Sequence, residues 1–260
     1  MNRPWRWAVT GATLGVCLAT ALWLPARWLQ PIVLKATRGH VEWINTQGTL
    51  WSGQTHIALT GGHASNDRAL LPGTWSWQLR PQWSNGPGAT LTVQSSCCLN
   101  TAIQVSAHWQ DQATTWLVND AQLDLPLSTL KGLGTPWNTL DLQGQIHVQT
   151  SKLTGRLTAT RHAVQGQVTA QVDDVSSRLT TVSPLGSYAA ELSWPQQALA
   201  QWSIRTLNGH LQLQGQGQIA QGRVRFRGQA SASPQSETAL ANLLNIIGRR
   251  QGHVTLLTLG

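Results

Sequence analysis

The sequence predicts a mainly β fold: an N-terminal transmembrane helix followed by a curled antiparallel β-sheet domain with a C-terminal helix. Three observations predict this arrangement. Residues 8–24 carry no charge, most of the chain after residue 48 alternates apolar and polar residues, and leucines near the C-terminus recur at helical spacing. Alternation is typical of strands with one buried face, and the leucine spacing is typical of an amphipathic helix.

The N-terminal stretch has the features of a membrane anchor. Arg3 and Arg6 form a short basic head, and tryptophans flank the uncharged residues 8–24 on both sides. At about 1.5 Å per residue, a helix of this length just spans a hydrocarbon core of about 30 Å. Residues 1–28 are therefore predicted as a cytoplasmic head and a transmembrane anchor.

A cleaved secretory signal is the alternative interpretation of the same stretch. Ala19-Thr20-Ala21 fits the small-x-small cleavage pattern that follows the apolar part of a signal peptide. Either interpretation places the remainder of the chain outside the cytoplasm, unless the anchor is inverted.

Composition narrows the class of protein. The chain has 260 residues, enough for one large β domain or two smaller ones, and only 11% of them are charged, against about 25% in ordinary soluble proteins. The formal net charge is +8, but the 18 cations are scattered along the chain. Because no helix-turn-helix, zinc-finger spacing or aromatic stacking platform accompanies them, nucleic acid is not expected as a partner.

The cysteines leave one question open. Cys17 lies in the apolar stretch, where it is expected to be an inert packing residue. Cys97 and Cys98 are adjacent, so in an oxidising compartment they predict either a strained vicinal disulfide or a bond to another chain. The alternative is two small side chains on opposite faces of a strand. With no CxxC motif or Cys/His cluster, a zinc site is not expected.

Residues 29–47 are predicted as a linker, with a possible short helix between Pro31 and Glu42, and residues 48–260 as the β-rich domain. In its first half, glycine-rich turns separate alternating segments that predict strands at 55–59, 73–80, 89–93 and 102–109. Residues 124–134 interrupt the alternation and predict a short helical turn that plugs one end of the sheet. Pro126 and Ser128 supply its start signal, and Gly132 or Gly134 supplies its end.

The second half alternates more strictly. It predicts further strands at 140–149, 152–160, 165–172, 176–182, 186–194, 202–207, 209–217 and 223–230. Gly144, Gly155 and Gly166 fall inside or beside these segments, where bulges or bends are expected.

One strand carries a row of arginines. Arg223, Arg225 and Arg227 fall on the same face, because side chains alternate along a strand. Two interpretations stay open: a cationic stripe for a lipid headgroup or an acidic partner, and an ordinary solvated strand face.

The clearest predicted helix lies near the C-terminus. Ser233 is its predicted cap, Pro234 occupies its first position, and Glu237 lies in its first turn. Gly248 or Gly252 ends it, with Arg249 and Arg250 at its end. Its apolar stripe consists of Leu240, Leu243, Leu244 and Ile247. A last strand, residues 253–259, is predicted to return to the sheet.

No motif for catalysis is present. The eight histidines, at positions 40, 56, 63, 108, 147, 162, 210 and 253, include no pair at metal-ligand spacing on a helix. The only adjacent carboxylates, Asp173-Asp174, would point to opposite faces of a strand and are interpreted as a turn. The sequence thus predicts no catalytic, cofactor-binding or metal-binding residues, no enzymatic activity, and no cofactor or small-molecule substrate.

Several segments, taken in order, resemble the protein N family of the bacterial type II secretion system. After the N-terminal apolar segment, the resemblance rests on Gly48-Thr49-Leu50-Trp51-Ser52-Gly53, Leu125-Pro126-Leu127-Ser128, Leu142-Gln143-Gly144, Pro184-Leu185-Gly186-Ser187-Tyr188, and the run from Arg225-Phe226-Arg227-Gly228 through Glu237, Ala239-Leu240 and Leu243-Leu244-Asn245 to Ile247-Gly248-Arg249-Arg250. Each segment alone is weak, but their order and spacing make the resemblance fairly specific.

The resemblance implies a single-pass cell inner membrane protein whose β domain lies in the periplasm. It implies an accessory component of the type II secretion system that takes part in protein transport, the secretion of folded proteins from periplasm to exterior, by protein–protein docking. Its expected partners are other inner-membrane subunits of the system, the outer-membrane channel and membrane lipid. The alternative function is a lipid-handling β module anchored in the inner membrane. A long Leu/Ile/Val-lined groove would favour the lipid module, and a solid core with a bare edge strand would favour docking.

Overall fold

A computed structural model describes residues 3–62, 65–84, 86–159, 162–195, 199–220 and 223–260. Its helices and strands follow the chain as α1 (Arg3–Leu22), a short 3₁₀ helix (Ala26–Trp28), α2 (Leu29–Ala36), β1 (Val41–Gly48), β2 (Ser52–Thr60), β3 (Arg68–Leu70), β4 (Trp75–Gln82), β5 (Gly88–Ser95), β6 (Ile103–Gln110), β7 (Ala113–Val118), β8 (Ala121–Pro126), the central 3₁₀ helix (Leu127–Leu133), α3 (Trp137–Leu140), β9 (Gln143–Leu157), β10 (His162–Ser176), β11 (Gly186–Trp194), β12 (Ala200–Gly209), β13 (Leu211–Ala220), β14 (Arg223–Ala232), a 3₁₀ turn (Pro234–Ser236), α4 (Glu237–Ile247), β15 (Arg249–Gln251) and β16 (Val254–Leu259).

All the strands belong to one antiparallel sheet. Its order is β1-β2-β4-β5-β6-β7-β9-β10-β11-β12-β13-β14-β16-β15, with β3 beside β2 and β8 beside β9. Nearly every strand therefore pairs with its neighbour in sequence, as expected where short turns join antiparallel strands. The two ends of this order, β1 and β15, do not pair with each other, so the predicted mainly β, antiparallel architecture is confirmed as an open sheet.

The N-terminal segment forms helix α1, but the predicted span is not supported. Across the described residues, the structure contains no helix with both the length and the apolar character needed to cross a membrane. The side chain of Cys17 lies outside the described part of the chain.

The hydrophobic core lies at one end of the sheet. Leu127 of the central 3₁₀ helix, Leu185, Tyr188 and Leu240 of α4 belong to a single buried cluster. The central 3₁₀ helix lies between Pro126 and Gly134, as the start and end signals predict. It packs against β2, β3 and β9 and contributes Leu127 to the cluster. Ala230 and Leu211 contribute the floor of the cluster from β14 and β13.

Helix α4 matches its prediction closely. Leu240, Leu243 and Leu244 are all at most 3% exposed, which confirms the apolar stripe, and the helix ends at Gly248. Two details differ. Residues 234–236 form a separate 3₁₀ turn with no side-chain cap from Ser233, and Arg249 lies in strand β15 instead of at the helix end.

The segment 176–182, predicted as a strand, is a loop beyond its first residue, because β10 ends at Ser176 and β11 begins at Gly186. Its alternating apolar residues, Leu179 and Val182, pack against the core cluster instead of joining the sheet. The loop is fixed to α4 by a hydrogen bond of 3.1 Å from the Thr180 hydroxyl to the Ala239 carbonyl. Alternation alone does not distinguish a strand from a loop whose alternate residues are buried.

Three other boundaries also differ from the sequence prediction. β1 begins at Val41, inside the predicted linker, and β4 runs through Pro81 to Gln82. The two strands predicted at 140–149 and 152–160 form the single long strand β9, in which Lys152 has a φ of 50°. Because the register with β10 shifts beside Lys152, one bulged strand accounts for both alternating segments.

Burial of the only tyrosine predicts a loss of stability at alkaline pH. Tyr188 is 6% exposed and donates a hydrogen bond of 3.0 Å to the Leu211 carbonyl, and desolvation by burial raises the pKa of its hydroxyl above the ordinary value of about 10. The folded state therefore holds this proton more tightly than the unfolded state does. The free energy of unfolding should be unaffected by this group below about pH 10 and should fall as the pH rises further, by up to about 1.4 kcal/mol per pH unit.

Denaturant melts at a series of pH values measure this dependence, with Tyr188→Phe as the matched control. We expect the variant to lose that part of the alkaline decline, and we expect tyrosinate absorbance to rise in the native protein only above the pH at which free tyrosine ionises. A native protein that titrates like free tyrosine would contradict the burial of Tyr188.

Candidate interaction surfaces

Alternation along the strands gives the sheet one apolar face and one polar face. Cross-strand partners share a face, so the pairings Leu79↔Leu91↔Val105 and Val168↔Leu192 place these residues together on the apolar face. Part of this face is covered by α4 and by the central 3₁₀ helix, which also packs against β2 and β3. Elsewhere its residues are only half-buried, so most of the apolar face is a shallow surface and not a filled core.

Aromatic rings lie flat on this face because glycine is their cross-strand partner. Trp77 pairs with Gly53, Trp116 with Gly155, and Trp202 with Gly217. A Cβ added at any of these glycines would overlap the ring of the paired tryptophan. The rings of Trp202 and Phe226 stack on each other with centroids 4.3 Å apart. Since a ring lying flat fills the space that a glycine leaves empty, these pairs keep the apolar face shallow.

The glycines predicted to mark bulges fall into two groups. Gly144 and Gly166 have φ of 134° and 124° and lie where the register between β9 and β10 shifts, so that prediction is confirmed for them. Gly155 lies in regular register opposite Trp116 and Val164, where it makes room for the indole.

The sheet ends in an edge with unpaired backbone. β15 is three residues long and pairs only with Val254–Leu256, so among the described residues Leu257–Leu259 of β16 have no strand on their outer side. Thr258 and Leu259 are exposed, as is all of β15. We call the outer sides of β15 and of Leu257–Leu259 the C-terminal edge. Unpaired N–H and C=O groups at such an edge can pair with another extended chain.

Basic residues lie beside the C-terminal edge. Arg223, Arg225 and Arg227 follow one another on the polar face of β14, and Arg249 lies on β15; all four are exposed. Within the described part of the chain none of these four arginines takes part in an ion pair. The salt bridges near the C-terminal edge instead join Arg250 and His253 to Glu237. The edge therefore lies beside four arginines that form no ion pair in the described chain, and Glu191 lines the same groove of the polar face as Arg225 and Arg227.

A cluster of charged side chains on the polar face was not predicted from the sequence. His147 of β9 lies between two carboxylates, with its Nδ1 2.7 Å from Oδ1 of Asp124 and its Nε2 3.6 Å from Oδ2 of Asp173. The three residues come from adjacent strands, and His147 and Asp173 line a polar groove of about 510 Å³. Asp173 and Asp174, interpreted from sequence as a turn, instead belong to a bulge in β10, where Asp174 has a φ of 51°.

Two further carboxylates each contact two basic groups: Asp141 pairs with Lys131 and Arg178, and Glu237 with Arg250 and His253. In the described ranges there is no group of three or more His, Cys, Asp or Glu side chains arranged to hold a metal ion. His63 lies outside those ranges. His210 contacts Ser236, and His253 contacts Glu237.

Cys97 and Cys98 form a disulfide in the turn after β5, which decides between the alternatives that the sequence left open. The Cys97 sulfur also contacts the Pro72 carbonyl at 2.9 Å.

An apolar cavity of about 260 Å³ lies at the opposite end of the sheet from α4. It is lined by residues of β1, β2, β4 and β5 together with Leu29 and Leu50. On one side Trp43 and Trp77 lie with ring centroids 5.0 Å apart.

An open antiparallel sheet that presents a shallow apolar face, a charged free edge and an apolar cavity has the features of a protein that binds partners. A comparison with known protein families supports this class of protein. The family model for type II secretion system protein N matches residues 39–256, and the chain belongs to this family of protein-secretion components.

The family match runs from Gly39 to Leu256, so it covers α4 and the sheet as far as Leu256 but not α1 or Leu257–Leu259. All of the segments on which the resemblance rested, apart from Gly48–Gly53, meet at the core cluster, to which Leu127, Leu185, Tyr188 and Leu240 belong. Neither a search of curated proteins nor a search of solved structures finds a match to the chain.

Proposed function

We propose that this protein is an accessory component of the type II secretion system that works by docking other proteins of the system at its C-terminal edge. In this proposal it takes part in the export of folded proteins without catalysing a reaction and without a cofactor. Its partners are other inner-membrane subunits of the system and the outer-membrane channel. The observation that carries the proposal is the exposed strand edge beside four exposed arginines that form no ion pair in the described chain.

The geometry of the edge supports strand addition. An extended segment that pairs with Leu257–Leu259 gains main-chain hydrogen bonds, and the alternate side chains of that segment meet the two faces of the sheet. On the apolar face Leu259, which is 57% exposed, offers a contact for an apolar side chain of the partner.

The charge beside the edge defines the chemistry of the partner segment. A strand added to β16 lies about 10 Å from β14, at two interstrand spacings. Because arginine side chains are long, the guanidinium groups of β14 can lie closer to the added strand than this. Because the interaction falls off over a Debye length of about 8 Å at physiological ionic strength, Arg225 and Arg227 favour a segment that carries Asp or Glu. We therefore propose an acidic extended segment as the docked element.

We propose that the β domain lies on the periplasmic side of the cell inner membrane. The family supports a place in secretion machinery of the membrane, and the Cys97–Cys98 disulfide is consistent with an oxidising compartment. The proposal does not include a membrane-spanning helix. The division into residues 1–28, 29–47 and 48–260 stays a prediction, although β1 already belongs to the sheet.

Site-specific photo-crosslinking in secreting cells tests the docking edge. A photoreactive amino acid replaces Thr258 at the edge or, as the control, Gln201 on the polar face of the inner strand β12. We expect the Thr258 position to capture a subunit of the secretion system and the Gln201 position to capture none. Capture of no secretion subunit at Thr258, or equal capture at both positions, would reject docking at this edge.

Charge reversal tests the acidic character of the partner. We expect Arg225→Glu to reduce both the crosslink from Thr258 and the amount of secreted protein severalfold, because it places like charge against the docked segment. Arg80→Glu is the matched control, since Arg80 is exposed on β4 near the other end of the sheet. Equal secretion by the two variants would show that the basic residues at the edge do not recruit the partner.

A further inference from the structure

Exposed tryptophans gather at one end of the strands. Outside α1 the exposed tryptophans are Trp23, Trp28, Trp83, Trp109 and Trp137. All of them except Trp137 of α3 lie at the end of the strands away from the core cluster. Trp83 is 74% exposed and Trp109 is 56% exposed. Because a group of exposed apolar side chains marks a binding surface whereas isolated ones are ordinary, this end of the strands is a candidate contact surface.

Strand pairing brings three turns into one row. Gly88, beside the β4–β5 turn, pairs with His108, which lies beside the β6–β7 turn. Thr114 pairs with Trp109 on one side and, on the other, with Leu157 beside the β9–β10 turn. In the order β4-β5-β6-β7-β9-β10 the row crosses successive interstrand spacings and is about 24 Å long. We call it the hairpin rim: the described residues among 82–88, 109–113 and 156–162.

The segment between α1 and α2 lies at the same end of the strands. Pro25 forms an isolated antiparallel bridge with Thr49, in the turn between β1 and β2. The Leu79 amide of β4 donates a hydrogen bond of 2.7 Å to the Trp51 carbonyl of that turn, and β4 continues from there towards Trp83. The two exposed tryptophans of the segment therefore lie on the side of the molecule that carries the hairpin rim.

The charged groups at this end are mainly cationic. Arg27 of the segment before α2 and Arg156 of β9 are exposed, and within the described residues neither takes part in an ion pair. Asp111 is the only carboxylate in the sequence of the hairpin rim. Tryptophan and arginine together are typical of protein surfaces that meet the interfacial region of a lipid bilayer, because an indole ring combines an apolar body with a polar N–H.

A lipid surface fits this arrangement better than a protein partner does. The anchors of a protein interface cluster near its centre, in closely packed pockets from which water is excluded. Trp83 and Trp109 instead lie beside separate turns, within a row about 24 Å long. A headgroup layer is fluid, so it accepts separate aromatic side chains and arginines without a matching shape.

We propose that the hairpin rim lies against the headgroup layer of a phospholipid bilayer. The rings of Trp83 and Trp109 lie at the level of the headgroups, Arg156 contacts lipid phosphate, and the segment between α1 and α2 meets the same layer. The core cluster then faces away from the bilayer. The rim belongs to β4–β10 and is separate from the C-terminal edge, which β15 and β16 form.

Quenching by brominated lipid in vesicles of phosphatidylethanolamine and phosphatidylglycerol tests the contact with the full-length protein. A fluorescent amino acid replaces Leu157 on the rim or, as the control, Asn208, which is exposed at the opposite end of the strands. We expect lipid brominated near the top of its acyl chains to quench position 157 at least about twofold, the depth at which interfacial tryptophans lie, and to leave position 208 unquenched. Both proteins carry the same α1, so binding of α1 to the vesicles does not produce this difference.

Two variants that carry the fluorescent amino acid at position 157 make the test specific. Trp83→Ser/Trp109→Ser is expected to reduce the quenching severalfold, because the rim loses the two rings that hold it in the headgroup layer. Trp137→Ser removes an exposed tryptophan away from the rim and is expected to leave the quenching unchanged. Both variants alter exposed side chains, so denaturant melts should match those of the parent protein within about 0.5 kcal/mol for each replacement.

Quenching at position 157 no stronger than at position 208, or equally strong in Trp83→Ser/Trp109→Ser and Trp137→Ser, would overturn the proposal. Protection of position 157 from both brominated lipid and aqueous iodide would also overturn it, because a protein surface would then cover the rim. Loss of secretion-subunit capture at Thr258, with the quenching intact, would leave the lipid contact standing.

Discussion

Replacing Leu243 and Leu244 together by aspartate is expected to unfold the core end of the sheet. Both side chains are at most 3% exposed and pack with Leu127, Leu185 and Tyr188. Truncating one buried leucine to alanine already costs about 2–5 kcal/mol, and two carboxyl groups in an apolar site add a further penalty. The sum is comparable with the whole stability of a domain, about 5–15 kcal/mol. Denaturant melts followed by circular dichroism should show a greatly weakened or absent cooperative transition.

The same helix supplies a matched control. Asn245 and Ile246 are the next two residues of α4 and are exposed, so the Asn245→Asp/Ile246→Asp variant introduces the same two carboxyl groups on the solvent side. We expect its stability to stay within about 1 kcal/mol of the parent protein, the usual range for surface changes. A Leu243→Asp/Leu244→Asp variant that melts like the parent protein would show that α4 does not close the core.

Replacing Gly209 by alanine is the second change with a large expected effect. Gly209 has a φ of +127° and pairs directly with Gly186 of β11, whose φ is +152°. A Cβ at position 209 would overlap the Gly186 backbone and the Leu185 carbonyl. That carbonyl accepts hydrogen bonds from the His210 and Leu211 amides at 2.8 and 3.0 Å, so the strands cannot separate without losing them. We expect the free energy of unfolding to fall by at least about 3 kcal/mol, because this overlap adds to a backbone strain of about 1–3 kcal/mol.

Gly252→Ala is the control that introduces backbone strain without steric overlap. Gly252 also has a positive φ, +64°, but a Cβ there meets no atom within 4 Å. The free energy of unfolding of this control should therefore fall only by the cost of a positive φ in alanine, about 1–2 kcal/mol. Comparison of the two variants by denaturant melts measures the overlap together with the greater backbone strain of φ +127° relative to φ +64°, and equal losses would mean that β11 and β12 adjust to a side chain at position 209 at no cost.

The local pattern of the sequence determined most of the secondary structure. Strict alternation placed most strands of the sheet within a few residues, and the spacing of Leu240, Leu243 and Leu244 placed α4 together with its buried face. Pro126 and Gly134 marked the limits of the central 3₁₀ helix. These features are predictable because side-chain direction repeats every two residues in a strand and every 3.6 in a helix, so a short stretch of sequence carries the whole signal. The order of the family's segments was likewise enough to identify the family.

Local pattern failed where packing outweighed it. The alternation of residues 176–182 predicts a strand, but Leu179 and Val182 pack against the core cluster and the segment is a loop. Gly155 was expected at a bulge, yet it lies in regular register opposite Trp116. In both cases the deciding contact comes from a residue distant in the sequence, which no local period can report.

The candidate interaction surfaces depended almost wholly on tertiary structure. The sequence showed the arginine row of β14, but only the strand order placed that row beside an unpaired edge. Asp124, His147 and Asp173 come together because three strands align in register, and the apolar cavity exists because residues of four strands and Leu29 line it together. The sequence thus determined the elements of this protein and its family. Its surfaces were decided by pairing register, since register sets which residues far apart in the chain become neighbours.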